Sequence, residues 1–446
     1  MLHVLLATTP VPKDIPLDLP LPQWLLVTIL VISFLAHIVF VNLMLGGSLL
    51  TLWAEIKGLK DKDYDKFAYE TAKTITVNKS LAVVLGVAPL LSINTLYSVY
   101  FYSANALTGL MWISVIPLVT IAFLLTYLHK YSWHKLADNK PLHIAIIGAA
   151  VLIFLFIPLI FLVNINLMLF PEKWGTISGF LSALVLPNVF PRYLHFICAS
   201  LGVTGLFIFW YTGRKNYPFE SYYTHLTRYA IKKKAYSLTL AASGAQFLIG
   251  PVVLFTLPSK GLGWNLIAVI GAGAVIAIPA MIWIWKAING PEERIDQHFG
   301  KVVLALSITV LFMGSGRQIY RANALAPHQQ LMAAKTEEFR RLSAEARAHP
   351  QEESIALEID TSLGDVAKGA ALFKMNCSAC HQKDAKLVGP PILEMVEIYR
   401  GKADQLKEWI RKPGKKRPDY PQMPAFGDRL SEDDLHELAK YILSVK

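Results

Sequence analysis

Charge is scarce in this sequence. Only 17% of its 446 residues are charged, against about 25% in an ordinary soluble domain. The hydrophobic share is 54% and the mean hydropathy is +0.42. That balance excludes a disordered chain and argues against an ordinary soluble globule. Cysteine is scarce as well: three residues exclude a disulfide scaffold. Internal repeats and low-complexity tracts are absent, despite 25 prolines and 27 glycines. The opening MLHVLLATTP lacks a basic start and runs into a proline-rich segment, so it is not read as a cleaved leader. Acidic residues are the rarer charge, 32 against 43 basic ones.

What is abundant is long apolar runs. A membrane-crossing helix needs about 20 mostly apolar residues. Eight stretches qualify, at roughly 23–53, 77–101, 106–128, 142–168, 192–212, 236–257, 263–285 and 300–319. None alternates as barrel strands do, so helices are expected. Lysines and arginines are unevenly divided between the connecting loops. The loops after runs 1, 3, 5 and 7 hold 17 of them, from Lys57 to Lys301. The other side holds four, Lys13, Lys173, Arg192 and Lys260. Basic loops stay in the cytoplasm, so the N-terminus and everything after run 8 are expected outside it. The net charge of +11 is largely this signal, and no nucleic-acid partner is needed to explain it.

Residues 377–381 read Cys-Ser-Ala-Cys-His. This CxxCH spacing is that of covalent c-type haem attachment. Two thiols add to the vinyl groups of one haem, and the adjacent histidine reaches its iron. The competing reading, a zinc or redox CxxC, lacks a second cysteine pair for a zinc site. Upstream, GDVAKGAALFKMNCSACH begins as a short helix with small residues and an aromatic on one face. Downstream come Gly389-Pro390, a helix near 401–411, then Met423-Pro424-Ala425-Phe426 and the amphipathic SEDDLHELAKYILSV. Together these residues resemble class I cytochrome c across 362–446. The resemblance implies His381 and Met423 as axial ligands, with Met395 as a rival that comes early and lacks the following proline. It also implies crossing terminal helices, with Gly369 and Phe373 near Tyr441. His/Met ligation leaves no open iron position and suits electron transfer. Haem attachment of this kind occurs outside the cytoplasm, where the loop charges independently put this segment. A basic run, Arg411, Lys412, Lys415, Lys416 and Arg417, reads either as a docking patch for an acidic redox partner or as a solvated loop.

Ionisable residues inside spans are functional candidates. His37 lies about 14 residues into the first run, roughly 20 Å deep, and His195 lies just inside the outer end of the fifth. Each is either a haem b ligand or a histidine bonded to a neighbouring polar group. The stretches AHIVFVNLMLGGSLLTLWAEI and RYLHFICASLGVTGLFIFWY look like the two spans of cytochrome bd quinol oxidase subunit I that carry haem b histidines. GVAPLLSINTLYS, Gly109-Leu110-Met111 and Gly316-Arg317-Gln318 keep the same order. This resemblance spans about 23–322. It implies His37 and His195 as haem ligands and Arg317 as a partner for a haem propionate.

The departures from that family bear on function. Its oxidases carry a glutamate before the Gly-Arg-Gln turn, where this chain has Met313-Gly314-Ser315. They carry glutamates around the Gly-Leu-Met, where this chain has Thr108 and Ile116. Their long quinol-binding loop is here only a turn, Leu257 to Gly263. Proton carriers and an open iron site are therefore missing, which argues against oxygen reduction. Met281 stands at the wrong end of its helix to share an iron with His195. Met111, Met168 and Met313 lie nearer in depth but are equally ordinary core residues, as is Cys198. His129, His134, His143, His225 and His298 fall in or beside cytoplasmic loops and are given no role.

The expected fold class is all-α: a polytopic transmembrane bundle over 1–321, a linker with an amphipathic helix and a polar extended piece over 322–361, and a cytochrome c domain over 362–446. The expected function is an electron-transfer subunit of a respiratory complex in the bacterial inner membrane. Its cofactors would be one covalent haem c and one or two haem b. Its partners would be other membrane and periplasmic redox subunits, quinol, and a soluble cytochrome or other periplasmic carrier. Two rival readings remain: a bd-like terminal oxidase with a fused cytochrome c, and a haem-b-free anchor for the cytochrome c domain.

Overall fold

The computed structural model describes residues 19–348, 365–415 and 420–445. The opening decapeptide, the extended piece of the linker, Lys416 and Arg417 lie outside the described residues. The described residues are 79% helical, and no strand occurs among them. Those residues divide into two compact units, the division falling after Thr336.

The first unit contains α1 (Gln23–Gly58), α2 (Lys62–Leu96), α3 (Ser98–Thr108), α4 (Leu110–Tyr131), α5 (Lys140–Leu167), α6 (Phe180–Leu184), α7 (Val189–Gly213), α8 (Phe219–Tyr222), α9 (Arg228–Phe255), α10 (Trp264–Asn289) and most of α11 (Phe299–Ala348). Eight of these, α1, α2, α4, α5, α7, α9, α10 and α11, are long and apolar enough to cross a membrane. Leu152, Leu181, Leu248, Phe255 and Trp264 are exposed on the unit's surface, as lipid-facing sides require. α1 packs on α2, α5 and α7, while α9 packs on α7 and α10.

Two boundaries differ from expectation for physical reasons. α2 begins at Lys62, well before the apolar run, because Asp61 caps it by accepting the Asp63 N–H at 3.0 Å. Hydropathy alone does not register such a polar extension. The same run breaks at Tyr97, so 98–108 form a separate helix ending at Gly109, whose φ of +50° suits glycine. α11 runs as one helix, and its Ala324 and Leu325 are wholly buried in the bundle core.

The second unit contains α12 (Asp365–Asn376), α13 (Ile392–Tyr399), α14 (Ala403–Arg411) and α15 (Glu432–Ser444). α15 starts with a capping box, in which Ser431 and Asp434 satisfy each other's backbone N–H. It receives α12, α13 and α14 on its apolar side. Leu406, Ile410, Leu435, Leu438 and Ile442 form the centre of that core.

Candidate functional site

The CxxCH segment follows directly from the end of α12. Backbone N–H groups of Cys380 and His381 donate to the Cys377 carbonyl at 3.0 and 2.9 Å, closing a tight loop. Cys377 is buried, Cys380 half-buried, and both thiols are free. Burial, with the Cys380 thiol beside it, pushes the Cys377 thiol up to about 11. The His381 ring is buried, and its Nδ1 donates to the Pro390 carbonyl at 2.8 Å. This fixes the tautomer and leaves the Nε2 lone pair for a metal. The ring lies flat on Gly389, where a Cβ would come within 2.3 Å of Cε1. The Gly389 N–H in turn donates to the Cys380 carbonyl at 2.8 Å, which locks ring and strap together.

The expected helix crossing is present. A Cβ on Gly369 would lie 2.1 Å from the Glu437 carbonyl oxygen, so only glycine lets α12 approach α15 this closely. Phe373 and Tyr441 meet at 5.5 Å between ring centroids. Both methionine candidates, Met423 and Met395, pack against this core. The Met423 segment is tied down by Phe426 N–H to the Ile410 carbonyl at 3.2 Å and Gly427 N–H to the Arg411 carbonyl at 3.2 Å. Within the basic run, Arg411 is committed to Glu408 and Glu432, while Lys412 and Lys415 are exposed.

In the first unit, His37 sits on α1 with Nδ1 donating to the Ala82 carbonyl of α2 at 2.8 Å. Its ring lies on Gly86, where a Cβ would be 2.9 Å from Cε1. His37 and His381 thus share one arrangement: a carbonyl on Nδ1, a glycine under the ring, and Nε2 left over. His195 sits in the second turn of α7. Gln246 Nε2 approaches its Nε2 at 3.3 Å, and its Nδ1 is buried without a partner.

The two histidines do not meet, and they stand in register rather than one deep and one near the outer end as expected, because α1 begins 14 residues before His37 and α7 only six before His195. Ser200 donates to Asn42 Oδ1 at 2.9 Å, and Gly46 lets α7 approach so closely that a Cβ would be 2.2 Å from Thr204 Oγ1. The two helices therefore run parallel. His37 and His195 each lie five residues before the Asn42–Ser200 contact, about 7.5 Å along the axis. Their rings turn to different neighbours, α2 and α9.

Arg317 comes off α11 with its guanidinium 4.4 Å from the Phe34 ring, one turn before His37 on α1. Its Nε is buried without a hydrogen-bond partner. Arg192 and Arg321 lie within its electrostatic reach, and Arg192 is one turn before His195. No carboxylate pairs with any of these three arginines among the described residues. In the sequence Arg192 reads as loop charge and Arg321 belongs to no motif. The available signal was an arginine inside a helix at each place.

The methionines weighed as sixth ligands pack conventionally. Met168 is wholly buried in the core with Trp174 and Leu266, and Met111 borders that core. The Met313 methyl would touch a Cβ on Gly273 at 3.0 Å. Met281 lines an apolar groove with Leu240, Phe247 and Trp285. Cys198 is half-buried and free.

Comparison with known proteins bears on the second unit. The family model for cytochrome c matches residues 366–446. Cytochrome c6 of Aphanizomenon flos-aquae is 34% identical over 85 residues, 18% of this chain and 88% of the relative. Cytochrome c6 of Gracilaria tenuistipitata var. liui is 31% identical over 87 residues, 19% of this chain and 76% of the relative. Cytochrome c-551 of Azotobacter vinelandii is 34% identical over 82 residues, 18% of this chain and 98% of the relative. Such a domain carries haem c and transfers electrons. Through these C-terminal residues, joined to a bundle of membrane helices, the chain belongs to the cytochrome c family.

Proposed function

We propose that the chain is a membrane-embedded electron-transfer subunit, in which the helical bundle binds haem b and the C-terminal domain passes electrons at haem c. The observation that carries this reading is the environment of His37. A half-buried imidazole has its Nδ1 held by the Ala82 carbonyl and Gly86 under its ring, which is the device that presents His381. Each of His37 and His195 has an arginine one turn away, Arg317 beside Phe34 and Arg192 on α7 itself. Unpaired arginines next to an orphaned ring nitrogen fit a haem whose propionates are anionic. The iron of each haem supplies a site that gains and loses one electron.

In the second unit, Cys377 and Cys380 would hold the haem through their thiols and His381 would hold its iron through Nε2. Met423 would supply the sixth ligand from the segment that Phe426 and Gly427 anchor to α14. A histidine and a methionine on one iron leave no position for oxygen. The chain's own contribution is to fix the ligands and exclude water; the chemistry is the cofactor's.

The loop charges support a reading in which the N-terminus and the cytochrome c domain lie on the periplasmic side of a bacterial inner membrane. Electrons would pass between a membrane donor, quinol or a partner subunit, and a periplasmic carrier. Within the basic run, Lys412 and Lys415 are exposed cations available to an acidic carrier. Pyridine haemochrome spectra of the purified chain test the reading. One haem c with two haem b is expected, falling to one haem b in His37→Ala and in His195→Ala. Haem c alone would make the bundle an anchor, and a chlorin signal would make the chain an oxidase.

A further inference from the structure

The C-terminal end of α1 holds a second cluster of metal-binding side chains. Glu55 of α1, His129 of α4 and His143 of α5 are 0%, 1% and 0% exposed. One ligand atom from each lies within 4.8 Å of the others. Glu55 Oε2 accepts from His129 Nε2 at 2.7 Å, and Glu55 Oε1 accepts from His143 Nδ1. His143 Nε2 donates to the His129 carbonyl at 2.7 Å. The two imidazoles stack at 4.0 Å, and Trp133 closes the site edge-on to both. Glu55 lies 18 residues along α1 from His37, about 27 Å away, so the cluster is separate from the haem histidines.

We propose that Glu55, His129 and His143 bind one divalent transition ion, zinc above all, which clamps α1, α4 and α5 together. Two imidazoles and one carboxylate form a donor set that favours late first-row ions over calcium or magnesium. His143 is already oriented as a ligand, with Nε2–H on a backbone carbonyl and Nδ1 facing Glu55. Binding is an exchange of protons for the ion, with no change of oxidation state. His143 releases its Nδ1 proton to water, while His129 shifts its single proton from Nε2 to Nδ1 and ligates through Nε2. Glu55 gives up two hydrogen bonds for a metal bond. The opposing charge is Lys140, whose Nζ is 3.9 Å from Glu55. That charge is countered by Asp65 at 2.6 Å, and the ammonium sits 4.6 Å from the Trp133 ring centroid. Without an ion, the cluster buries a carboxylate and an imidazolium, an arrangement that apolar residues of like volume often match or better.

The test uses the full chain with its haems, purified in detergent, stripped with a chelator and re-equilibrated with zinc. Plasma mass spectrometry gives the zinc-to-iron ratio. One zinc per chain is expected, with affinity at least tenfold weaker in Glu55→Gln and His143→Gln. Should those variants misfold, zinc-edge absorption on the unsubstituted chain decides, because it must show two imidazole ligands. Zinc below one-tenth per chain, zinc retained at full affinity in both variants, or an edge spectrum without imidazole overturns the proposal and leaves a proton-filled ion cluster.

Discussion

Replacing Gly369 by alanine should unfasten the cytochrome c domain, and the size of the effect follows from one distance. The added Cβ would lie 2.1 Å from the Glu437 carbonyl oxygen and 2.6 Å from Tyr441 Cβ. Real Cβ contacts essentially never fall below 3.0 Å, so α12 and α15 must part by about 0.9 Å. The obstructing atom is backbone inside a helix and has no rotamer to escape into. A gap of 0.5–1 Å forfeits a quarter to a half of each dispersion contact across it. The contacts at stake include Leu372 and Phe373 on α12 and Leu438 and Tyr441 on α15. Overpacking costs about 1–3 kcal/mol, and weakening the Phe373–Tyr441 pair removes a share of the roughly 0.5–1.5 kcal/mol such pairs contribute. A total of about 2–4 kcal/mol is therefore expected. At about 4–8 °C per kcal/mol for a domain this small, Tm should fall by roughly 10–25 °C. Thermal unfolding of the full chain, followed by haem c absorbance, reads this directly. Lys368→Ala, which is next in sequence but points to Asp434, is a control expected to shift Tm far less. A fall under about 4 °C in Gly369→Ala would refute the reasoning that backbone approach, not side-chain packing, sets this crossing.

Three further outcomes are expected. Met423→Leu should lower the haem c potential and abolish the methionine–iron charge-transfer band, whereas Met395→Leu should leave both in place; the reverse result would exchange the two ligands. Burial opposes the charge of Asp434, but the Ser431 hydroxyl and the Lys368 ammonium outweigh it and hold the carboxyl below its usual range, while Asp434 holds Lys368 above its own. Stability from Asp434 is thus complete above about pH 4 and lost as pH falls through its lower folded value, and that from Lys368 is complete below about pH 10 and lost as pH rises through its higher one; Asp434→Asn should flatten both limbs of a Tm-versus-pH curve. Ser431→Ala should cost the domain about 0.5–2 kcal/mol through the lost cap, measured by urea unfolding, and a loss below 0.3 kcal/mol would contradict the capping box.

What was legible in the sequence was what is local. Cys377, Cys380 and His381 sit in one turn, so their spacing alone specifies their chemistry. The crossing of α12 and α15 was legible only through resemblance, because Gly369 and Tyr441 are far apart in the chain. The eight apolar runs gave the bundle, yet composition could not show the break at Tyr97, where the run stays apolar on both sides. It also missed the charged start of α2, which a cap rather than hydropathy decides. The partners of His37 were illegible for the same reason. Ala82 and Gly86 meet it only once α1 and α2 pack, and neither residue type announces itself. Glu55, His129 and His143 come from three helices and gave no signal as separate residues near loops.

The registry of α1 and α7 has an electrical meaning. Moving one charge across a membrane against 100 mV costs about 2.3 kcal/mol. His37 and His195 stand level, each five residues before the contact between Asn42 and Ser200. With α1 and α7 standing normal to the bilayer, an electron exchanged between sites at these two histidines would travel sideways in its plane. Such a hop would do no work against the membrane field, so its rate should be the same in an energised and a depolarised membrane.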